Sequence, residues 1–152
     1  IVPDAVRAAV AGKPLQVRNP KAVRPWQHVL EPLAGYLRLA EHLHDTPAMY
    51  AEGWNFGPDE RDAVPVEKVV STIARLWGPQ ASWEADKAKH PHEAHFLKLD
   101  SSKARSRLGW KPRLALQMAL EWTVGWYKTQ AQGADAHQLT LAQIERYMGL
   151  PA

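Results

Sequence analysis

The sequence predicts an α/β fold with more helix than strand, its strands short and scattered among the helices. Three observations carry that expectation. Apolar residues recur at helical spacing in several stretches, most cleanly after Pro65. Alternation of apolar and polar residues is confined to runs of three or four. Those runs are too few to build a full doubly wound sheet. The chain has 152 residues, 45% of them hydrophobic and 23% charged. That composition suits one globular domain, or a lobe of one, and is too apolar for disorder.

Along the chain, residues 3–11 predict a short helix with Val6, Ala9 and Val10 on one face and Gly12 as its stop. Residues 15–18 alternate as a strand, and residues 27–30 read as a second one beyond the loop NPKAVRP. Pro32 opens a helix in its first turn, where a missing N–H costs nothing. Its buried face is expected at Leu33, Tyr36, Leu37, Ala40 and Leu43, with Arg38, Glu41 and His42 outward. Residues 54–56 read as a buried strand before the Gly57-Pro58 turn. Pro65 starts a helix with Val66, Val69, Val70, Ile73, Leu76 and Trp77 on one stripe, and Gly78 ends it.

Residues 82–84 and 95–100 read as strands flanking the polar segment ADKAKHPHEA. Ser101 or Ser102 caps a short helix ending at Gly109, and a longer helix spans about 114–129. QAQGADAHQ reads as a mobile linker. Thr140 and Gln143 match a capping box, with Leu139 and Ile144 as its hydrophobic staple. The chain opens at Ile1 on IVPDAV, already helix-like, as expected of a piece of a longer protein.

The net charge of +3 suits an anionic ligand and is weak for a nucleic-acid binder. Without cysteine there are no disulfides and no thiolate metal ligands. No apolar run approaches a membrane span, so no membrane partner is expected and the cytoplasm is the default location.

Chemistry concentrates in two places. The stretch VRNPKAVRPWQHVLEP holds Arg18, Arg24, Trp26 and His28 in a loop stiffened by Pro20 and Pro25. An arginine fork donates two parallel hydrogen bonds to a phosphate and keeps its charge, and a stiff loop loses little entropy on gripping one. The bland alternative is two solvated arginines and a core tryptophan. The second place is HPHEAH, with His90, His92, Glu93 and His95. Strand geometry puts His90 and His92 on one face and His95 on the other, with no third metal ligand evident, so no metal site is expected. Imidazole bonded to phosphate and a plain surface cluster both remain open. Trp54, Trp77, Trp122 and Trp126 lie in apolar patterns and are expected in the core, with Trp110 anchoring the turn after Gly109. Asp59, Glu60 and Asp62 are expected to complement a helix dipole rather than act as acid and base.

Three segments carry a resemblance. LKLDSSKARSRLGWKPR resembles the D-x-S-K…LGW-x-P signature of extended short-chain dehydrogenase/reductases that act on nucleotide sugars, through Asp100, Ser102, Lys103, Leu108, Gly109, Trp110 and Pro112. VRPWQHVLEP is similar to their R-D-Y/W-x-x-V-x-D segment at Arg24, Trp26 and Val29, and WNFGP to their N-x-G strand end at Asn55 and Gly57. The wording RNP…RPWQHVLEPL and HPHEAH most resembles the CDP-glucose 4,6-dehydratase family. The resemblance covers nearly the whole chain.

It implies a fold and a role: the C-terminal substrate-binding lobe over residues 1–152, with the N-terminal NAD-binding Rossmann domain absent from this chain and acting as its partner. It also implies a homo-oligomeric parent and a CDP-sugar substrate. Arg24 would contact the diphosphate, with Arg18 and Asn19 near the nucleotide. Relatives often have Arg-Pro-Gly where this chain has His90-Pro91-His92, which leaves the second phosphate contact open: His90 would serve, with a charge that varies near neutral pH, and His92 is a substrate-binding candidate beside it. The parent reaction would oxidise the sugar at C4, eliminate water across C5 and C6, and return hydride to C6. That chemistry needs a Tyr-x-x-x-Lys pair and a glycine-rich cofactor turn, and the sequence has neither, so no catalytic residue is expected here. A small nucleic-acid module and a ligand-free helical interaction domain are the competing readings.

Overall fold

In the computed structural model, described over residues 1–88 and 94–151, seven α-helices surround two small two-stranded sheets among the described residues. Strand β1 (Leu15–Val17) pairs in parallel with β4 (Trp83–Ala85), and β2 (Val23–Pro25) runs antiparallel to β3 (Ala63–Pro65).

The largest apolar cluster joins α1 (Val2–Val10), β1, β3, α4 (Val66–Trp77) and α6 (Leu116–Ala131). Its centre is the stripe read from the sequence: Val69, Val70 and Ile73 are almost wholly buried, and Trp77 closes it. Burying a side chain of this size stabilises by about 1.5–3 kcal/mol. Lys128 of α6 donates to the carbonyls of Leu76 and Trp77 at 3.2 and 2.9 Å, satisfying the carbonyl end of α4.

A second cluster gathers Phe56, Ala104, Leu108 and Trp110 around α5 (Ser102–Leu108), and a third gathers Leu114, Ala119, Trp122 and Tyr147 between α6 and α7 (Ala136–Met148). Both lean on α2 (Leu30–Asp45), which continues through a single turn, α3 (Pro47–Tyr50).

Several expectations are corrected. The strand after β1 lies at Val23–Pro25 and not at 27–30, because the carbonyl of Ala22 and β3 hold that segment extended while Leu30 already starts α2. Residues 54–56 pair with no strand among the described residues, and Asn55 instead donates to the carbonyl of Asp100 at 3.2 Å. Residues 95–100 form only a bridge between Phe96 and Val23. QAQGADAHQ spans a short turn between two helices. Asp135 caps α7 by accepting from the Gln138 amide at 2.8 Å, which places Thr140 and Gln143 inside the helix. Asp59 bonds Arg105 at 2.8 Å, Glu60 pairs with Lys98, and Asp62 is buried, so this acidic group is spent on ion pairs and packing rather than on a helix dipole. Trp77, Trp110 and Trp122 are buried as expected, while Trp54 and Trp126 are half-buried.

The face of α2 is inverted. Leu33, Tyr36 and Leu37 are 45%, 56% and 69% exposed, while Glu31 and Gly35 are buried. The helix has two apolar stripes, and the one through residues 31, 35 and 39 is the one that packs, with Leu30, Ala34 and Leu39 half-buried beside it. Glu31 decides the matter. Its carboxylate accepts from the amides of Arg113 and Leu114 at 2.9 and 2.7 Å and from the Tyr147 hydroxyl at 2.9 Å. A buried carboxylate with three donors is tolerated, and here it ties α2, the segment before α6, and α7 together.

Candidate functional site

The basic loop is fixed at both ends. The amides of Val66 and Glu67 donate to the carbonyls of Ala22 and Pro20 at 3.0 and 2.8 Å, so the loop satisfies orphan donors at the start of α4. Ala22 closes a turn onto the carbonyl of Asn19 at 3.1 Å. Trp26 packs against the main cluster and donates its indole N–H to the carbonyl of Val64 at 2.9 Å. The core tryptophan of the bland alternative is half met: Trp26 is partly buried against the main cluster.

Arg24 is half-buried on β2. Its Nη1 donates to the carbonyls of Val23 and Ala94 at 2.8 and 2.9 Å. Beside it, the Val23 amide donates to the carbonyl of His95 at 2.8 Å. The chain leaving HPHEAH therefore runs alongside β2, with the Arg24 guanidinium pinned between the two. His90 and His92 lie outside the described residues. Arg18 is exposed at the end of β1 and makes no hydrogen bond or ion pair with the described residues.

Arg18, Asn19 and Arg24 line one open pocket of about 270 Å³, together with Gln16, Trp26 and Asp4. The structure thus brings together three of the residues singled out in the sequence. Asp4 is the acid on this rim, and its pairing with Arg7 holds its carboxyl below the usual range. The pocket offers guanidinium donors beside a flat indole, an arrangement suited to an anion attached to a ring.

No two of the nine glycines are spaced as a GxGxxG turn, so the chain lacks the glycine-rich turn that cradles a dinucleotide pyrophosphate. Tyr36, Tyr50, Tyr127 and Tyr147 each lack a lysine four residues on, and Tyr147 is spent on Glu31, where burial and the carboxylate push its hydroxyl pKa far up.

Glu31 and Tyr147 were not foreseen as a pair. The signal for Glu31 was present: the R-D-Y/W-x-x-V-x-D segment ends in an acid two residues after its valine, which is where Glu31 stands. Nothing in the sequence points to Tyr147.

No family model matches the chain. CDP-glucose 4,6-dehydratase of Salmonella typhimurium is 46% identical over 148 residues, 97% of this chain, which spans 41% of that protein's length. Among solved structures, UDP-glucuronic acid 4-epimerase from Bacillus cereus, in complex with UDP-glucuronic acid and NAD, matches with a TM-score of 0.71 at 20% identity, covering 85% of this chain and 40% of that one. dTDP-glucose 4,6-dehydratase from Bacillus anthracis, in complex with NAD, matches with a TM-score of 0.65 at 20% identity, over 87% of this chain and 40% of that one. In sequence the chain is similar to CDP-glucose 4,6-dehydratase, and in fold it corresponds to the C-terminal, mostly helical part of extended short-chain dehydrogenase/reductase epimerases and dehydratases.

Proposed function

We propose that this chain is the CDP-sugar-binding part of a sugar-nucleotide 4,6-dehydratase that converts CDP-glucose to CDP-4-keto-6-deoxyglucose. The observation that carries the reading is the 46% identity to a CDP-glucose 4,6-dehydratase along 97% of the chain. The pocket of Arg18, Asn19 and Arg24 supports it. In this reading Arg24, whose Nη1 is held by two carbonyls, brings an already ordered guanidinium charge to the diphosphate. Arg18 supplies a second charge, and Asn19 and Trp26 face the nucleoside. An upstream Rossmann domain, NAD, and the groups that move hydride and protons belong to a longer parent, which acts as a homo-oligomer. The fold likeness to UDP-glucuronic acid 4-epimerase supports a coarser alternative, another nucleotide-sugar epimerase or dehydratase.

Calorimetric titration of the intact parent with CDP-glucose, UDP-glucose and NAD tests both readings. Arg18→Ala and Arg24→Ala should each weaken CDP-glucose binding by about 1.5–3 kcal/mol, roughly 10- to 150-fold. Arg24→Lys should recover only part, because an ammonium keeps the charge and loses the fork. NAD affinity should stay unchanged. Unaltered CDP-glucose affinity in the Arg18 variant, whose side chain makes no hydrogen bond or ion pair with the described residues, removes the diphosphate from this loop. Tighter binding of UDP-glucose than of CDP-glucose favours the alternative.

A further inference from the structure

A second cationic site lies in the turn that joins α5 to α6, and no residue of the Arg18 pocket lines it. Arg38 from α2 and Lys111 and Arg113 from the turn line a small pocket of about 50 Å³ beside Gly109 and Tyr147. None of the three cations forms an ion pair with a described carboxylate. No carboxylate lines the pocket.

Two of the three are held in place. The Arg113 guanidinium lies 5.3 Å from the Tyr147 ring centroid and donates weakly to the Tyr147 carbonyl at 3.4 Å. Arg38 rests on the Gly109 turn: a Cβ at that position would meet its Nη2 at 3.1 Å. Gly109 sits at φ +59°, a left-handed conformation that suits glycine, and the lack of a Cβ there leaves the space beside the Arg38 guanidinium open. Glu31, which accepts from the Arg113 amide and the Tyr147 hydroxyl behind the pocket, is wholly buried and already accepts three hydrogen bonds. Three positive charges against one leave the pocket cationic.

We propose that this pocket binds a small tetrahedral oxyanion, either free phosphate or the terminal group of a phosphate monoester. Its size decides the class of ligand. At about 50 Å³ it offers a fraction of the room of the 270 Å³ pocket at Arg18, which is the scale of a single phosphoryl group rather than of a whole nucleotide. Arginine forks and an ammonium are the donors such a group takes. The rival role for Arg38 is to complement the carbonyl end of α5 with no ligand involved.

The test is a heteronuclear NMR titration of the protein at constant ionic strength, following the Gly109 amide and the arginine Nε–H signals. Sodium phosphate, methyl phosphate and sodium chloride are the three titrants. The expected result is a saturable Gly109 shift with phosphate, with a Kd of about 1 mM, and none with chloride. Arg38→Gln and Lys111→Gln, both at exposed positions, should each weaken it about 10-fold, while Arg18→Ala leaves it unchanged. Equal binding of methyl phosphate identifies a monoester as a ligand; binding of inorganic phosphate alone identifies the free ion. A shift that rises linearly with salt, that chloride reproduces, or that survives both glutamine substitutions overturns the proposal and leaves Arg38 as a helix-end complement. Loss of CDP-sugar binding in the Arg18 variant does not bear on this outcome, so the two sites stand or fall separately.

Discussion

Replacing Glu31 should separate hydrogen-bond count from charge as the source of its effect. Glu31→Ala leaves the amides of Arg113 and Leu114 and the Tyr147 hydroxyl without their acceptor. An unsatisfied buried donor costs about 1–3 kcal/mol. The three share one acceptor, so their costs do not simply add. The half-exposed Arg113 also lets water reach one of them. A loss of about 3–5 kcal/mol is expected, at the high end of single substitutions and characteristic of an opened buried network. Glu31→Gln is the informative partner. Its amide oxygen can accept from the same two backbone donors, and its amide nitrogen can donate to the Tyr147 oxygen. It gives up charge assistance and also the burial of a charge, so it should stay within about 1.5 kcal/mol of wild type. Tyr147→Phe should fall between, at about 1.5–3 kcal/mol. Urea unfolding reads all three: with a slope of about 2 kcal/mol/M, the alanine variant should lose about 1.5–2.5 M in midpoint or lose its cooperative transition. An alanine variant within about 0.5 kcal/mol of wild type, or a glutamine variant as damaged as alanine, refutes the reasoning.

Gly35→Ala should destabilise by about 1–3 kcal/mol, although alanine is normally the better helix former by up to about 1 kcal/mol; the added Cβ would lie 2.3 Å from the Phe56 ring, and urea unfolding gives the sign. Burial holds the His28 pKa below its usual value of 6.5, against the raising effect of a hydrogen bond to Gln143, so the unfolded chain takes up its proton first as pH falls. Stability from His28 is therefore complete above about pH 6.5 and declines below it; a His28→Gln variant should show a flatter unfolding midpoint between pH 7 and pH 5, and an unchanged profile counts against the assignment. The chain by itself should form no 4-keto-6-deoxy sugar from CDP-glucose with or without added NAD, since it has neither a cofactor turn nor a Tyr-x-x-x-Lys pair; chromatographic detection of that product from the pure protein would show that the chemistry lies here.

The sequence alone determined the elements whose residues agree with one another locally. Helix α4 was legible because Val69, Val70, Ile73 and Trp77 repeat at helical spacing between a proline and a glycine. Strand β1 and the helix ending at Gly109 were legible for the same reason, and the three motif segments already indicated the kind of fold. Three of the proposed site residues were adjacent enough in sequence for one loop to place them in one pocket. What only the tertiary structure decided was every choice between locally equivalent options. Helix α2 offers two apolar stripes, and the partner that selects between them, Tyr147, stands 116 residues away from Glu31. β2 is a strand because Ala63–Pro65 lies beside it, and residues 54–56 are not because no strand among the described residues does. The charged pocket of Arg38, Lys111 and Arg113 exists only because α2 crosses the Gly109 turn. Periodicity reports how a segment can fold by itself, whereas a buried carboxylate, a strand pair and a cluster of like charges are fixed by what another part of the chain brings to them.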